Sequence, residues 1–323
     1  MAVQLYVSRV SDVLAAVTVI VPTRPAQSEI AAVDAARALD YPQDKLEIIV
    51  ARGKQPAVQR NKALAAASGE LIYFLDDDSK PTADNLHRAA KHFANPAIAM
   101  VGGPNLCPDD APPLEKVFSV VLGSWALAAS RSRYDRIGAT RETSEKELIL
   151  CNLLARRSVL QELGGFDEAL YPNEENALMD DIQKRGGKLI YDPDLVVYRR
   201  PRPTLKAFIK MLLNYGRGRA EQFRLHPTFG SALNFVPPGF CVYLAIAPWF
   251  GGVALLPLAV YGLAVAGQVL VLIPRKGLYA IGAAPLIVLT HIFYGLGFWR
   301  GLFTRLNKSG SIPPTEVTLE KVK

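Results

Sequence analysis

Two groups of acids stand out by type and spacing. Asp76, Asp77 and Asp78 follow the apolar run ELIYFL at 70–75, and Glu174 with Glu175 opens a polar, helix-forming stretch much later in the chain. On an extended turn, carboxylates one residue apart from a neighbour, such as Asp76 and Asp78, can face the same way. Together they can hold a hard divalent cation, Mn2+ or Mg2+, with positions open to phosphate oxygens. That suits a nucleotide-sugar, whose diphosphate gains charge as the sugar departs. The plainer role for such a triplet is an acidic turn or helix cap. Three acids closing a buried-type strand favour a cation, because uncompensated like charges there are costly. The glutamate pair also has a plain role, favourable contact with a helix dipole. Beside the aspartates, one of the two could instead take the proton from an acceptor hydroxyl as it attacks the sugar carbon.

These acids need a scaffold. Residues 16–21 (AVTVIV) form a β-branched run ending at Pro22, the pattern of a buried parallel strand. Residues 29–39 are Ala-rich and helical, 46–50 (LEIIV) read as a second strand, 58–67 as a second helix, and 70–75 as a third strand running into Asp76. This alternation predicts a doubly wound α/β sheet. Ligands in such sheets bind beyond the carboxyl ends of the strands, where the triplet lies. A further strand is predicted at 97–101, a turn at 164–168, a helix from 173 to 185, and short strands at 189–191 and 195–198. Residues 131–147 are polar and charged, and loop and helix both stay open for them.

The motifs fall in a specific order: V-I-V-P-T (19–23), Q-R-N-K-A (59–63), G-E-L-I-Y-F-L-D-D-D-S-K-P (69–81), V-G-G-P-N (101–105), G-G-F-D-E (164–168), N-E-E-N (173–176), G-G-K-L-I-Y-D-P-D (186–194) and Y-G-R-G-R (215–219). The set resembles glycosyltransferase family 2, above all its membrane-anchored bacterial members that build exopolysaccharides and cell-envelope glycans. The resemblance covers roughly residues 17–305. It implies a GT-A fold, a Rossmann-like mixed sheet, with inverting chemistry. It also implies that Asp76 and Asp78 form the metal and diphosphate motif with Asp77 between them, and that Glu175 is the catalytic base with Glu174 as neighbour. Pro22 and Thr23 would line the nucleotide pocket, and Arg60 and Asn61 would face the nucleotide-sugar.

Two departures qualify that picture. Family members usually follow the second strand with an acid-rich turn whose Asp reads the base; here the turn is Ala51-Arg52-Gly53-Lys54-Gln55-Pro56. Arg52 and Lys54 could help hold the diphosphate, or be solvated loop charges. The Q-x-x-R-W motif of processive synthases is also missing, since none of Trp125, Trp249 and Trp299 follows an Arg. Transfer of one sugar to a lipid-linked or glycan acceptor, most naturally polyprenyl-linked, is therefore expected. A processive synthase and a non-catalytic membrane scaffold with a degenerate fold are the alternatives.

The membrane enters through composition. Of the 323 residues half are hydrophobic, and mean hydropathy is +0.14. Residues 225–274 and 277–299 contain no Asp, Glu, Lys or Arg, and each stretch exceeds the roughly 20 residues that cross a bilayer. A hairpin turning at 248–252 would give spans near 235–252 and 253–273, followed by a third at 278–299. The net charge of +7 does not point to nucleic acid. Residues 225–323 hold seven Lys/Arg against two Glu, whereas 1–224 hold thirty basic against twenty-eight acidic residues, so the excess flanks the apolar spans. Residues 204–223 have Leu205, Phe208, Ile209 and Leu212 on one helical face with Lys206, Lys210, Arg217 and Arg219 elsewhere, the pattern of a basic helix lying on a membrane surface. Cys107, Cys151 and Cys241 show no metal or disulfide spacing. His226 and His291 lack partner ligands nearby and are expected in structural roles. Residues 1–16 lack the long apolar core of a signal peptide. The expected organisation is a catalytic domain (1–203), an interface helix (204–224), about three transmembrane helices (225–305) and a flexible tail (306–323). The protein would then be multi-pass in the inner membrane with its catalytic domain cytoplasmic.

Overall fold

The computed structural model describes residues 14–170, 173–225, 227, 229–306 and 316–322. Its strands are β1 (Val17–Thr23), β2 (Leu46–Arg52), β3 (Leu71–Leu75), β4 (Lys80–Pro81), β5 (Ile98–Gly102), β6 (Asn105–Leu106), β7 (Arg141–Thr143), β8 (Asn152–Arg156), β9 (Lys188–Tyr191), β10 (Val197–Tyr198) and β11 (Thr318–Val322). The helices before the apolar region are α1 (Ala31–Arg37), α2 (Pro56–Ala66), α3 (Asn85–Phe93), α4 (Pro113–Leu122), α5 (Arg157–Glu162), α6 (Glu174–Lys184) and α7 (Leu205–Leu225). Three apolar helices follow: α8 (Val236–Ile246), α9 (Leu256–Lys276) and α10 (Leu278–Phe303).

The main sheet runs β11-β2-β1-β3-β8-β5-β9-β7, and β4-β10-β6 form a small second sheet. β1 pairs in parallel with β2 and β3, while β8 lies antiparallel between β3 and β5. This is the mixed sheet expected. All seven residues of β1 are buried, because helices cover both faces, the condition that lets a parallel strand be apolar throughout. Ala32 and Ala36 of α1 and Leu86 and Phe93 of α3 pack on one face. Ala63 and Leu64 of α2, Leu160 of α5 and Met179 of α6 pack on the other. The undecided stretch 131–147 is neither a simple loop nor a helix. A 3-10 turn ends at Arg133, β7 follows, and Glu147 is bound by Arg141 at 2.6 Å.

Three segments are long and apolar enough to cross a membrane: Ala232–Phe250, Gly252–Lys276 and Leu278–Phe303. The hairpin corner falls at Gly251, whose φ of 77° lies in the left-handed region that glycine enters freely. His291 is satisfied within the bundle, accepting from Tyr261 Oη at 2.8 Å and donating to Ala126 O at 3.1 Å; His226 lies outside the described residues.

Two expectations need correction. Part of the apolar face of α7, expected on a membrane surface, packs on protein, while Leu205 on the same face stays exposed. Phe208 and Leu212 are buried with Phe118 of α4 and Ala283 and Ile287 of α10, and the Phe118 and Phe208 rings stack at 4.2 Å. The two helices meet backbone to backbone. A Cβ on Gly216 would lie 2.0 Å from Tyr294 O, and one on Gly297 2.2 Å from Leu213 O. Small residues permit this approach, so Phe208 and Leu212 are buried by helix-on-helix packing. Second, residues 318–322, expected in a flexible tail, form β11, antiparallel to β2 with Thr318 opposite Arg52 and Val322 opposite Ile48. Val317 and Leu319 pack on one core, Val322 on the other. Lys321 reaches Glu47 at 2.7 Å. That bond, with those from Thr18 and Ser68, outweighs burial and holds the Glu47 carboxyl down at about 2.

Candidate active site

The acidic triplet begins where β3 ends, one residue past its last buried Leu. Ser79 sets the turn. Its hydroxyl accepts from Asp76 N at 3.2 Å, its own N–H donates to Asp76 O at 3.0 Å, and the hydroxyl donates to Cys151 O at 3.4 Å. Asp76 and Asp78 are brought together by Arg199, just past β10. Arg199 Nη1 lies 3.0 Å from Asp76 Oδ2, and Nε lies 2.5 Å from Asp78 Oδ1. Burial works against the charge on Arg199, yet Asp76, the Cys151 thiol and Asp78 hold its guanidinium well above the ordinary range. Asp77 points elsewhere, accepting from Thr23 Oγ1 at 3.4 Å. Burial and then Asp78 and Asp76 push its carboxyl up, while Arg199 and the Thr23 hydroxyl pull it down.

Arg60 of α2 joins this cluster to the glutamates. Its Nη2 is 3.4 Å from Asp76 Oδ1 and its Nη1 2.9 Å from Glu174 Oε1. Glu174 is buried at the first position of α6, preceded by Asn173 in a left-handed conformation, φ 102°, a strained backbone of the kind that collects at functional sites. Burial, followed by Glu175, raises the Glu174 carboxyl to about 7 against the pull of Arg60. Glu175 is only half-buried, and Asn176 Nδ2 donates to it at 3.4 Å. Beyond it stands Arg133, whose Nη2 donates to Asn176 Oδ1 at 2.8 Å. Burial and the nearby Arg219 of α7 lower the pKa of Arg133, and Glu175 is the foremost opposing influence. Arg219 in turn hydrogen-bonds Tyr294 of α10.

The structure thus joins Asp76, Asp78, Arg60 and Glu174 through Arg199 into one connected cluster, with Glu175 next to it on α6. Pro22 and Thr23 lie one strand over, at the end of β1. Asn61 is the exception. Its amide is spent on the turn before α6, donating to Phe166 O and Glu168 Oε1 and accepting from Phe166 N, all between 2.8 and 2.9 Å. It holds Gly165 at φ 81° with no room for a side chain, and so does not turn toward the aspartates. Sequence reasoning missed Arg199 and Arg133. The only signal for Arg199 was the basic run Y-R-R-P-R after the last strand, and Arg133 sat in the stretch left undecided.

The donor set fits a divalent cation in a limited way. Asp76 and Asp78 offer hard oxygens side by side, and the described residues contain no group of three His, Cys, Asp or Glu able to enclose a metal. An ion here would take its remaining ligands from water and from a bound diphosphate, as Mg2+ prefers, after Arg199 yields its place between the carboxylates.

The raised Glu174 carboxyl carries a testable consequence. Its ordinary value is 4.5 and its folded value about 7, so the unfolded chain releases the proton first and wild-type stability falls as pH rises between them. Glu174→Gln removes that titration. The difference in Tm, variant minus wild type, should grow through this window and be flat outside it; a difference independent of pH would show that Glu174 titrates normally.

The sequence profile described as "Glycosyl transferase family group 2" matches residues 71–298. A pre-mycofactocin glycosyltransferase of Mycobacterium tuberculosis is 27% identical over 185 residues, 54% of this chain and 36% of that protein. The succinoglycan biosynthesis protein ExoA of Rhizobium meliloti is 30% identical over 156 residues, 46% of each chain. The chain thus spans less than half the length of these curated relatives. Among solved structures, the mannosyltransferase PcManGT from Pyrobaculum calidifontis, in complex with GDP-Man and Mn2+, aligns with a TM-score of 0.57 at 20% identity over 90% of this chain and 87% of that one. At that identity the likeness speaks for the fold, and it agrees with the GT-A arrangement of the mixed sheet. With the profile covering most of the chain, including the acidic triplet, the glutamate pair and the apolar helices, the protein belongs to glycosyl transferase family group 2.

Proposed function

We propose that the protein moves a single sugar, with inversion, from a nucleotide-sugar to a membrane-associated acceptor bearing phosphate, most simply a polyprenyl-linked one. The observation that carries this reading is the position of Glu175. On one side the Arg60–Glu174 link connects α6 to Asp76; on the other stands Arg133, with Arg219 against α10. The first side suits the donor's diphosphate and the second an anionic acceptor head. Glu175 would accept the acceptor hydroxyl's proton as that oxygen bonds to the anomeric carbon and the bond to the diphosphate breaks on the opposite face. Arg60 and Arg199 would then face the departing charge. Asp76 and Asp78 would hold a divalent ion, Mn2+ or Mg2+, which supplies neutralising charge to the leaving diphosphate when bound.

β11 supports a particular membrane arrangement: because the chain leaves the sheet's domain before α7 and rejoins the same sheet at β2, it would cross a bilayer an even number of times. Lys276, at the corner between α9 and α10, lies 3.5 Å from Asp135 of the catalytic domain. Ala232–Phe250 and α9 form the crossing hairpin in this reading, while α10, packed along α7 and α4, lies at the surface. The basic corner and the catalytic domain then share the cytoplasmic side, as the positive-inside rule favours.

Membranes washed with carbonate should retain the protein. After solubilisation with Mn2+ present, a panel of nucleotide-sugars should yield one donor from which polyprenyl phosphate receives one labelled sugar. Release of the protein by carbonate overturns the membrane part. A ladder of products, or hydrolysis alone, overturns single-sugar transfer.

A further inference from the structure

The end of β2 is where the chain departs from its family's usual acidic turn, and β11 returns to that place. Glu320 accepts from Arg52 Nε at 2.7 Å, and Arg52 Nη1 donates to Gln27 O at 2.6 Å. The guanidinium is thereby fixed between the β1 loop and the last strand. The backbone beneath it is equally constrained. Gly53 N donates to Thr23 O at 3.0 Å, Gln59 Nε2 donates to Thr23 O at 2.8 Å and to Ala51 O at 2.5 Å. A Cβ on Gly53 would lie 3.2 Å from Val317 Cγ2, so the residue that leads into β11 seats directly on this turn. In the sheet, β2 is separated from β3 by β1 alone, which puts Arg52 about 10 Å from the aspartates at strand spacing. It is therefore too far over to share their diphosphate. A nucleoside diphosphate laid across these strand ends, its phosphates at Asp76 and Asp78, brings its base above Arg52.

We propose that Arg52, held by Glu320 of β11, reads the nucleobase: it donates to a carbonyl-bearing base, guanine or uracil, in preference to adenine, and Glu320 is its positioning residue. This rests on the nucleotide-sugar reading above. With Nε given to Glu320 and one Nη1 hydrogen to Gln27 O, the donors left to a ligand are the remaining Nη hydrogens, which suit the O6 and N7 acceptors of guanine or a uracil carbonyl. An acid would seek N–H groups instead, so the usual reading of the base is replaced here by donors, and the acid that orients them comes from the other end of the chain.

The test is equilibrium binding of GDP, UDP and ADP to the full-length solubilised protein with Mn2+, with inorganic pyrophosphate as competitor. Wild type should prefer GDP or UDP over ADP. Arg52→Ala should weaken the preferred nucleotide about tenfold or more and erase the preference, with pyrophosphate affinity unchanged. Glu320→Ala should move the preference the same way by a smaller factor. Arg52→Glu combined with Glu320→Arg can re-form the ion pair and keep β11 protected from protease, yet should not recover the base preference. An unaltered preference in Arg52→Ala overturns this assignment alone, and full recovery in the charge swap overturns it too by making Arg52 a strut for the strand. Wild type binding none of the three nucleotides overturns the parent reading and this one with it.

Discussion

Glu175→Gln should lower transfer by about 100- to 10,000-fold, the contribution of a general base, with donor affinity almost unchanged. Gln keeps the size of the side chain and its bond with Asn176 while losing the ability to take a proton. The structure separates the two glutamates physically. Glu174 is buried and committed to Arg60, whereas Glu175 is half-buried on the side of Arg133 and Asn176. Only the second is open to an approaching hydroxyl. Glu174→Gln should cost less, because it tunes and orients without accepting the proton. Transfer rates at saturating donor decide the matter. A dead Glu174→Gln beside an active Glu175→Gln would exchange the two roles, and near-normal transfer by both would reduce the pair to the cap of α6.

Asp78→Asn should abolish the divalent-cation-dependent part of nucleotide-sugar binding and lower turnover by about 1,000-fold. An ion at a leaving group contributes several kcal/mol, and each 1.36 kcal/mol is tenfold in rate. Asp78 is the better probe of the two outer aspartates. Asp76 neutralises both Arg60 and Arg199, so its loss would leave two guanidinium groups short of a partner and blur function with stability. Asp78 is half exposed and, among the described residues, its ion pair is with Arg199. Titrating Mn2+ against donor binding in variant and wild type gives the result directly; equal binding and turnover would remove the metal role from Asp78.

The scaffold and the acids were legible from the sequence because both depend on local pattern. β1, β2 and β3 are β-branched runs separated by Ala-rich helices, and Asp76 follows a run that could only be a buried strand. What escaped depends on distant parts of the chain. Arg199 matters because β10, only two residues long, delivers it between Asp76 and Asp78, more than a hundred positions away in sequence. Nothing local distinguishes it from a solvated arginine. β11 carries a modest period-two signal, with Val317 and Leu319 alternating with Thr318 and Glu320, but it is short and follows a long apolar region. Its partner lies at the other end of the chain. The face of α7 was read correctly as apolar. Its cover could not be known, since α10 and lipid are equally apolar to a periodicity argument, and the glycine contacts that choose between them are set by three-dimensional approach.

Covering β2 also governs the protein's colloidal behaviour. An uncovered β2, with Ile48, Ile49 and Val50 at its centre, would be an outermost strand offering a full row of free N–H and C=O groups to any second chain, the template from which edge-to-edge aggregation starts. β11 satisfies that row from within and presents Thr318, Glu320 and Lys321 at the new rim, where exposed charge discourages further strand addition. Protein clipped ahead of β11 would therefore associate through its sheet edges, and its loss from solution would come from neighbouring molecules competing for the place the strand had vacated.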